Sequence, residues 1–401
     1  MDKKDYIGAS DEVLFHLYNR FPVVFDHGEG MSLYDTDGKS YLDFGSGIGV
    51  MAFGYGHPEF TKALHEQVDR LLHTSNLFYH TRLEGAADAL CRASGMSRVF
   101  FTNSGAEAIE GALKTAKKYA YKKTSKNGHS LISFEHSFHG RTVGALSVTG
   151  NEHYREAFYP LMDGVSFGTY NDLSSVESLI KEDTCAILLE PVQGEGGIIP
   201  ATEEFIKGLR RICDERDILL IFDEIQCGMG RTGYMFACQK YGVKPDILTT
   251  AKALGGGLPV GAFVVSEKVA GASLEPGDHG TTYGGNPLVC AAVETSIGLM
   301  EKLGLPEHVR ETAPYLEGKL DGLCEKHSAI VKGHRGVGFM QGLIIDPAIK
   351  PGEIMKNCLD EGMVVLTAGS DVVRLLPPLI AEKPDIDEMY EIMDRVLSAM
   401  G

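Results

Sequence analysis

The chain has 401 residues, 43% hydrophobic and 23% charged, an ordinary globular composition long enough for a large domain with a smaller companion. With 38 basic and 55 acidic side chains its formal charge is −17, which argues against nucleic acid as a partner, since binding a phosphate backbone needs a concentrated basic surface. The chain opens Met-Asp-Lys-Lys-Asp without an apolar leader, no stretch reaches the roughly 18 apolar residues of a membrane span, and its eight scattered cysteines include no Cys-x-x-Cys pair; a soluble cytoplasmic protein with reduced thiols is expected.

In chain order, residues 10–20 read as an amphipathic helix, and 23–25 with 31–35 as short strands around a turn. Asp37-Gly38 signals a hairpin into a strand over 40–44. A glycine-rich passage, Gly45 to Gly49, leads to Gly54-Tyr-Gly-His-Pro58, which opens a helix. From about residue 98 apolar runs at 99–101, 131–134, 186–189, 219–222 and 247–248 alternate with helical stretches around 105–122, 172–181 and 203–216. Such alternation implies a mostly parallel sheet covered on both faces, with ligands outside the carboxyl ends of its strands. A further strand is expected at 261–266 and a long helix after Asn286-Pro287. The last hundred residues then mix helices (307–326, 351–361, 385–399) with short strands (338–345, 372–376), as in a second, α+β domain.

The chemistry gathers where those strands end. Lys252 follows a buried strand and precedes Gly255-Gly-Gly257, where a lysine can condense with an aldehyde. Asp223 closes another apolar strand. A Schiff-base lysine with an aspartate facing a pyridinium nitrogen is the protein side of a pyridoxal phosphate (PLP) site. Ser104 and Glu107 form a capping-box pattern, Glu110 and Lys114 an i,i+4 pair, and the amides of Gly105 and Ala106 would face an anion at the helix's positive end; a helix start without a ligand fits equally. His136-x-x-His139 lacks a third ligand at usual spacing, so no metal is expected. Phe138 can stack on an aromatic face. Arg141 suits a carboxylate or a surface ion pair. The glycine-dense loops 190–197 and 277–286 fit close phosphate approach or tight turns. Arg374, a charge inside an apolar strand, needs a partner.

Taken together, Ser75-Asn-Leu-Phe-Tyr79, Asn103-Ser-Gly-Ala-Glu-Ala108, Phe138-His-Gly-Arg-Thr142, Glu190-Pro-Val-Gln-Gly-Glu195, Asp223-Glu-Ile-Gln226, Ala251-Lys-Ala-Leu-Gly255 and Thr282-Tyr-Gly-Gly-Asn286 resemble the class III (subgroup II) aminotransferases of PLP fold type I, over nearly the whole chain. The resemblance implies an α/β large domain (46–295) with a mostly parallel seven-stranded sheet between helices. A smaller α+β domain (296–401) would pack with an N-terminal segment (1–45). It implies PLP attached to Lys252, Asp223 facing the pyridine nitrogen, and Glu190 among the catalytic groups. Gln226 would bind the phenolic oxygen, Phe138 and Ile225 would sandwich the ring, and Gly105 and Ala106 would hold the phosphate. Thr282 would join them from a second subunit, so a homodimer with shared active sites is implied. Arg141, with Thr281 beside it, would anchor the substrate carboxylate. Glu195 and Arg374 would form a switching pair, closed for one substrate and open for glutamate.

Within that family the compact length and the 75–79 motif favour N2-acetyl-L-ornithine as amino donor and 2-oxoglutarate as acceptor. The products would be N-acetyl-L-glutamate 5-semialdehyde and L-glutamate, as in arginine biosynthesis. Relatives acting on free ornithine carry a tyrosine where this chain has Ile48, and an apolar residue cannot compensate the desolvation of an ammonium. 4-Aminobutyrate, succinylornithine and ornithine remain alternative donors. A PLP-fold binding protein without turnover is the alternative from another class; the joint presence of Lys252, Asp223, Arg141 and Arg374 speaks against it.

Overall fold

A computed structural model describes residues 3–401. Its centre is a seven-stranded sheet in the order Arg98–Thr102, Gly261–Val265, Ile247–Thr250, Leu219–Asp223, Thr184–Leu189, Ser130–Phe134, Val165–Gly168. Gly261–Val265 alone runs antiparallel to its neighbours. Every residue of Thr184–Leu189, Leu219–Asp223 and Ser130–Phe134 is buried, as expected of strands covered by helices on both faces. One cover is the helix Gly105–Thr124, whose Ile109, Ala112, Leu113 and Ala116 enter a core shared with Leu131, Leu219 and Ile247. It can lie this close because residue 111 is glycine: a Cβ there would stand 2.2 Å from the Phe263 ring.

The chain's two ends meet in a second unit. A sheet of Phe25–Glu29, Ser32–Asp35 and Ser40–Asp43 is completed by Met363–Val364 from the other end, pairing parallel to Ser40–Asp43. A further sheet orders Val331–Val337, Met340–Ile345, Val372–Leu375 and Leu366–Ala368. Arg231 locks these parts together. Fully buried, it donates to the carbonyls of Phe339 (3.3 Å) and Pro377 and to Ser46 Oγ (3.4 Å). Burial brings its pKa down to about 9, which still leaves it cationic at neutral pH.

Three elements depart from the sequence reading. The first helix is Lys3–Val13 rather than 10–20: it buries no residue, and Leu14, Phe15, Leu17 and Tyr18 beyond it are exposed, so their apolar periodicity meets no core within this chain. The seventh sheet strand, Val165–Gly168, had no apolar signal because an edge strand is only half covered. Val331–Val337, with its two glycines and three basic residues, lies between the expected helix 307–326 and strand 338–345 with no element assigned, yet pairs with Met340–Ile345 through a turn at Gly338 (φ 59°).

Candidate active site

A cavity of about 490 Å³ opens at the carboxyl edge of the large sheet. Asn103–Ala106, Phe138–Arg141, Glu190, Asp223, Ile225, Gln226 and Lys252 all line it. Gly257–Val260 line it too, because the antiparallel strand begins at the edge where the others finish.

The anion corner is the start of the helix Gly105–Thr124. Ser104, extended at φ −156°, accepts a hydrogen bond from Glu107 N at 3.2 Å. The return arm lands one residue earlier than a capping box predicts, since Glu107 Oε2 accepts from both N and Nδ2 of Asn103 at 2.8 Å. The expected Glu110–Lys114 pair does not form. Glu110 accepts instead from Thr142 Oγ1 (2.7 Å), Gly144 N (3.0 Å) and Ala145 N (3.2 Å), capping the next short helix, while Lys114 Nζ donates to Asp278 O at 2.5 Å. Capping three donors outweighs one exposed ion pair, which is worth only a few tenths of a kcal/mol. Gly105 also touches Ile225, and a Cβ on it would stand 2.8 Å from Ile225 Cδ1.

Asp223 is almost wholly buried. Its Oδ2 lies 2.7 Å from His139 Nδ1, and its Oδ1 accepts from Ile225 N (3.0 Å) and Thr249 Oγ1 (3.4 Å). His139 is a functional neighbour that the sequence reading missed, having weighed it only as half of a metal pair with His136; its position just before Gly140-Arg141, in the loop that follows a buried strand, was the available signal. Glu190 accepts from Phe138 N (3.0 Å) and Gly194 N (3.1 Å), so it binds two lining loops to each other. Burial pushes its carboxyl well above the usual range, and the Asp223 charge adds to this.

Lys252 holds a left-handed backbone (φ 48°), a strained conformation for a residue with a side chain, costing about 1–2 kcal/mol. Burial brings its ammonium down to about 8. At that value a useful fraction of the amine is neutral near physiological pH, as a nucleophile or proton carrier requires.

A closed network joins Gln226, which lines the cavity, to Glu195 and Arg374, which do not. Arg374 Nη1 donates to Glu195 Oε1 (2.5 Å) and to Gln226 Oε1 (3.0 Å), and Gln226 Nε2 donates to Glu195 Oε1 at 3.3 Å. Burial works to raise Glu195, but the Arg374 charge and hydrogen bond more than offset it, and its carboxyl is held below the usual range. Arg374 Nε is buried without a partner.

Not every expected residue reaches the cavity. Thr281 Oγ1 accepts from Asn103 Nδ2 and from Gly284 N, both at 3.1 Å, outside the lining, and Thr282 is exposed on the surface. Ile48 is exposed, and Val50 supplies the apolar lining from that segment instead.

An amine of lowered pKa, a buried carboxylate with its own histidine, an apolar cleft between Phe138 and Ile225, and a helix amino terminus make a donor set that PLP fits: aldehyde, ring nitrogen, ring faces and phosphate each find a match. Residues 16–397 match the family model described as aminotransferase class-III. The chain belongs to the class-III aminotransferases. This aminotransferase is 45% identical to the acetylornithine aminotransferase of Methanocaldococcus jannaschii over 398 residues, covering 99% of each chain. It is 46% identical to that of Clostridium acetobutylicum over 386 residues, covering 96% of this chain and 99% of the relative. Its fold is similar to a solved ornithine aminotransferase from Toxoplasma gondii with PLP at partial occupancy in the active site (TM-score 0.94, 29% identity, 99% of this chain and 95% of that one).

Proposed function

We propose that this aminotransferase uses PLP to move the δ-amino group of N2-acetyl-L-ornithine to 2-oxoglutarate, releasing N-acetyl-L-glutamate 5-semialdehyde and L-glutamate. The observation carrying this reading is the unequal state of the two arginines. Among the described residues Arg141 meets rings and no acid, whereas Arg374 is masked by Glu195 and Gln226. With the network closed, one guanidinium is available and a monocarboxylate fits end-on. With Glu195 displaced, two are available and a dicarboxylate fits. The relatives' names and their 45–46% identity support the same pair of substrates.

PLP, when bound, supplies an aldehyde that captures the amine and a ring that draws electrons from its carbon. The chain's own groups do the rest. Lys252 Nζ carries the proton away from the donor's δ-carbon and later returns one to the acceptor's α-carbon. Asp223, oriented by His139, keeps a proton at the ring nitrogen. Gly105 and Ala106 offer amides to the phosphate, with Thr282 of a second subunit. Gln226 would meet the phenolic oxygen and Phe138 and Ile225 would hold the ring faces, while Glu190 fixes the loops carrying Phe138 and Gly194. Arg141, with Thr281 nearby in the assembled site, takes the donor's carboxylate.

We read the working form as a homodimer. The exposure of Leu77, Phe78 and Tyr79, which belong to a family motif, together with that of Thr282, supports a second copy covering them. The terminal sheet and the large sheet support two domains bounded near residues 45 and 295. No helix among the described residues is long and apolar enough to cross a membrane, and a cytoplasmic location accords with the substrates.

Free ornithine is the second reading, favoured by the likeness to the Toxoplasma gondii enzyme. Val50 in the lining counts against it, because the free α-ammonium would lack a polar partner there. Initial rates with acetylornithine, succinylornithine, ornithine and 4-aminobutyrate at equal 2-oxoglutarate test the assignment. A higher kcat/KM for any donor other than acetylornithine overturns it.

A further inference from the structure

Arg141 is a cation of the site that meets rings rather than a carboxylate. It is exposed, and among the described residues no acid stands within ion-pair distance and no acceptor takes its hydrogen bonds. A long side chain in that position would ordinarily sample many rotamers, and substrate binding would have to freeze it. It is held, however, by rings. The guanidinium carbon lies 3.7 Å from the centroid of Tyr154 and 5.6 Å from that of Phe138.

Tyr154 is itself fixed. Its ring meets Phe138 edge to face, with centroids 6.0 Å apart and planes at 85°. It belongs to the short helix Glu152–Arg155, which Asn151 caps by accepting from His153 N at 3.1 Å, and its own amide donates to Asn151 O at 3.1 Å. Tyr154 also lines a second cavity of about 250 Å³, with Glu195, Asn151 and Asp371, on the other side of Phe138. The tyrosine therefore touches the carboxylate anchor and shares a cavity wall with Glu195 of the switching pair.

Stacking and carboxylate binding do not compete. A ring takes the flat face of a guanidinium, while a carboxylate takes two N–H groups along its edge. An acidic partner would fix Arg141 equally well but would consume those edges and repel the substrate.

Resting on the reading of Arg141 as the donor's carboxylate anchor, we propose that Tyr154 is a positioning residue: its ring face holds the Arg141 guanidinium ready, with both edges open for the substrate carboxylate. The role differs from that of Arg374, whose edges are closed until Glu195 leaves.

The test measures KM and kcat for the amino donor in Tyr154→Ala, Tyr154→Leu and Tyr154→Phe holoenzyme, and the binding of pentanoate, an unreactive monocarboxylate, by calorimetry. The cation–π contact predicts that Ala and Leu raise KM and weaken pentanoate on the order of tenfold, with kcat within about twofold. Phe, which keeps the face and loses only the hydroxyl, should restore both. In an Arg141→Ala background, Tyr154→Ala should add nothing. Wild-type KM and pentanoate affinity in Tyr154→Leu, with Arg141→Ala impaired, overturn the platform and spare the anchor. Unimpaired Arg141→Ala overturns the anchor and the platform with it. A fall in kcat and in PLP affinity, without a KM change, marks Tyr154 as mere scaffold and overturns the proposal.

Discussion

Replacing Glu195 by glutamine should separate the two half-reactions. The carboxylate sits 2.5 Å from Arg374, whose side chain is 4% exposed, whereas that of Glu195 is 29% exposed. Opposite charges about 4 Å apart attract by about 4 kcal/mol at an effective dielectric of 20. Glu195 recovers part of this from cavity water when displaced, and Arg374 keeps the Gln226 acceptor, so opening the pair should cost about 1–2 kcal/mol net. A dicarboxylate must meet that cost in the wild type and escapes it in Glu195→Gln. Its binding should therefore tighten about five- to thirtyfold. A monocarboxylate donor meets the opposite situation: its apolar chain faces an unneutralised guanidinium, and its affinity should fall by a similar factor. Single-turnover absorbance changes with glutamate and with acetylornithine, and calorimetric binding of glutarate against pentanoate, read out both arms. Equal changes for the two classes would refute the switching pair.

Other outcomes follow from the same geometry. Lys252→Ala should lose turnover and lose the peptide-bound cofactor that borohydride reduction otherwise leaves on residue 252; retained label on the variant contradicts the assignment. The lowered pKa of Lys252 predicts a pH effect in the cofactor-free protein. Below about pH 8 both states hold the proton and the burial penalty is complete. Between about 8 and 10.5 the unfolded chain binds more protons than the folded one, so stability should rise with pH by about 2–3 kcal/mol relative to Lys252→Met, as measured by urea denaturation. His139→Leu should weaken PLP binding by about tenfold or more, since it removes a buried hydrogen bond to a charged group; an unchanged dissociation constant would show that Asp223 needs no such donor. Gly105→Ala should fold but bind PLP poorly, because the new Cβ displaces Ile225 Cδ1, and a paired Ile225→Val, which deletes that atom, should restore binding.

The large sheet was legible in the sequence because six of its strands are short apolar runs ending in polar or glycine-rich turns. The helices 203–216 and 287–302 carried plain caps, Thr202 and Asn286. What was hidden obeys other rules. Val165–Gly168 lies at an edge, where half the side chains need not be apolar. The stretch 14–24 is apolar without a core in its own chain, so its periodicity led to a helix over 10–20, in the wrong place. In the site, the residues that point at a ligand were readable as motifs, whereas those that orient them were not. His139 serves Asp223 from 84 residues away, and Glu110 caps a helix 32 residues on rather than pairing along its own. Contacts of that separation are fixed by sheet order, which no local pattern encodes.

Arg231 bears on when the active site can form. Its three acceptors come from Ser46, Phe339 and Pro377, so the buried cation is satisfied only when nearly the entire polypeptide has left the ribosome. Val50, which lines the cavity, and Arg374, which pairs with Glu195 and with the lining residue Gln226, come from the segments that this clamp gathers. A nascent chain stalled before residue 374 can assemble the phosphate corner and present Lys252, yet it holds neither the masked guanidinium nor the lock around it. Competence to discriminate between substrates thus arrives last, in the final thirty residues of synthesis.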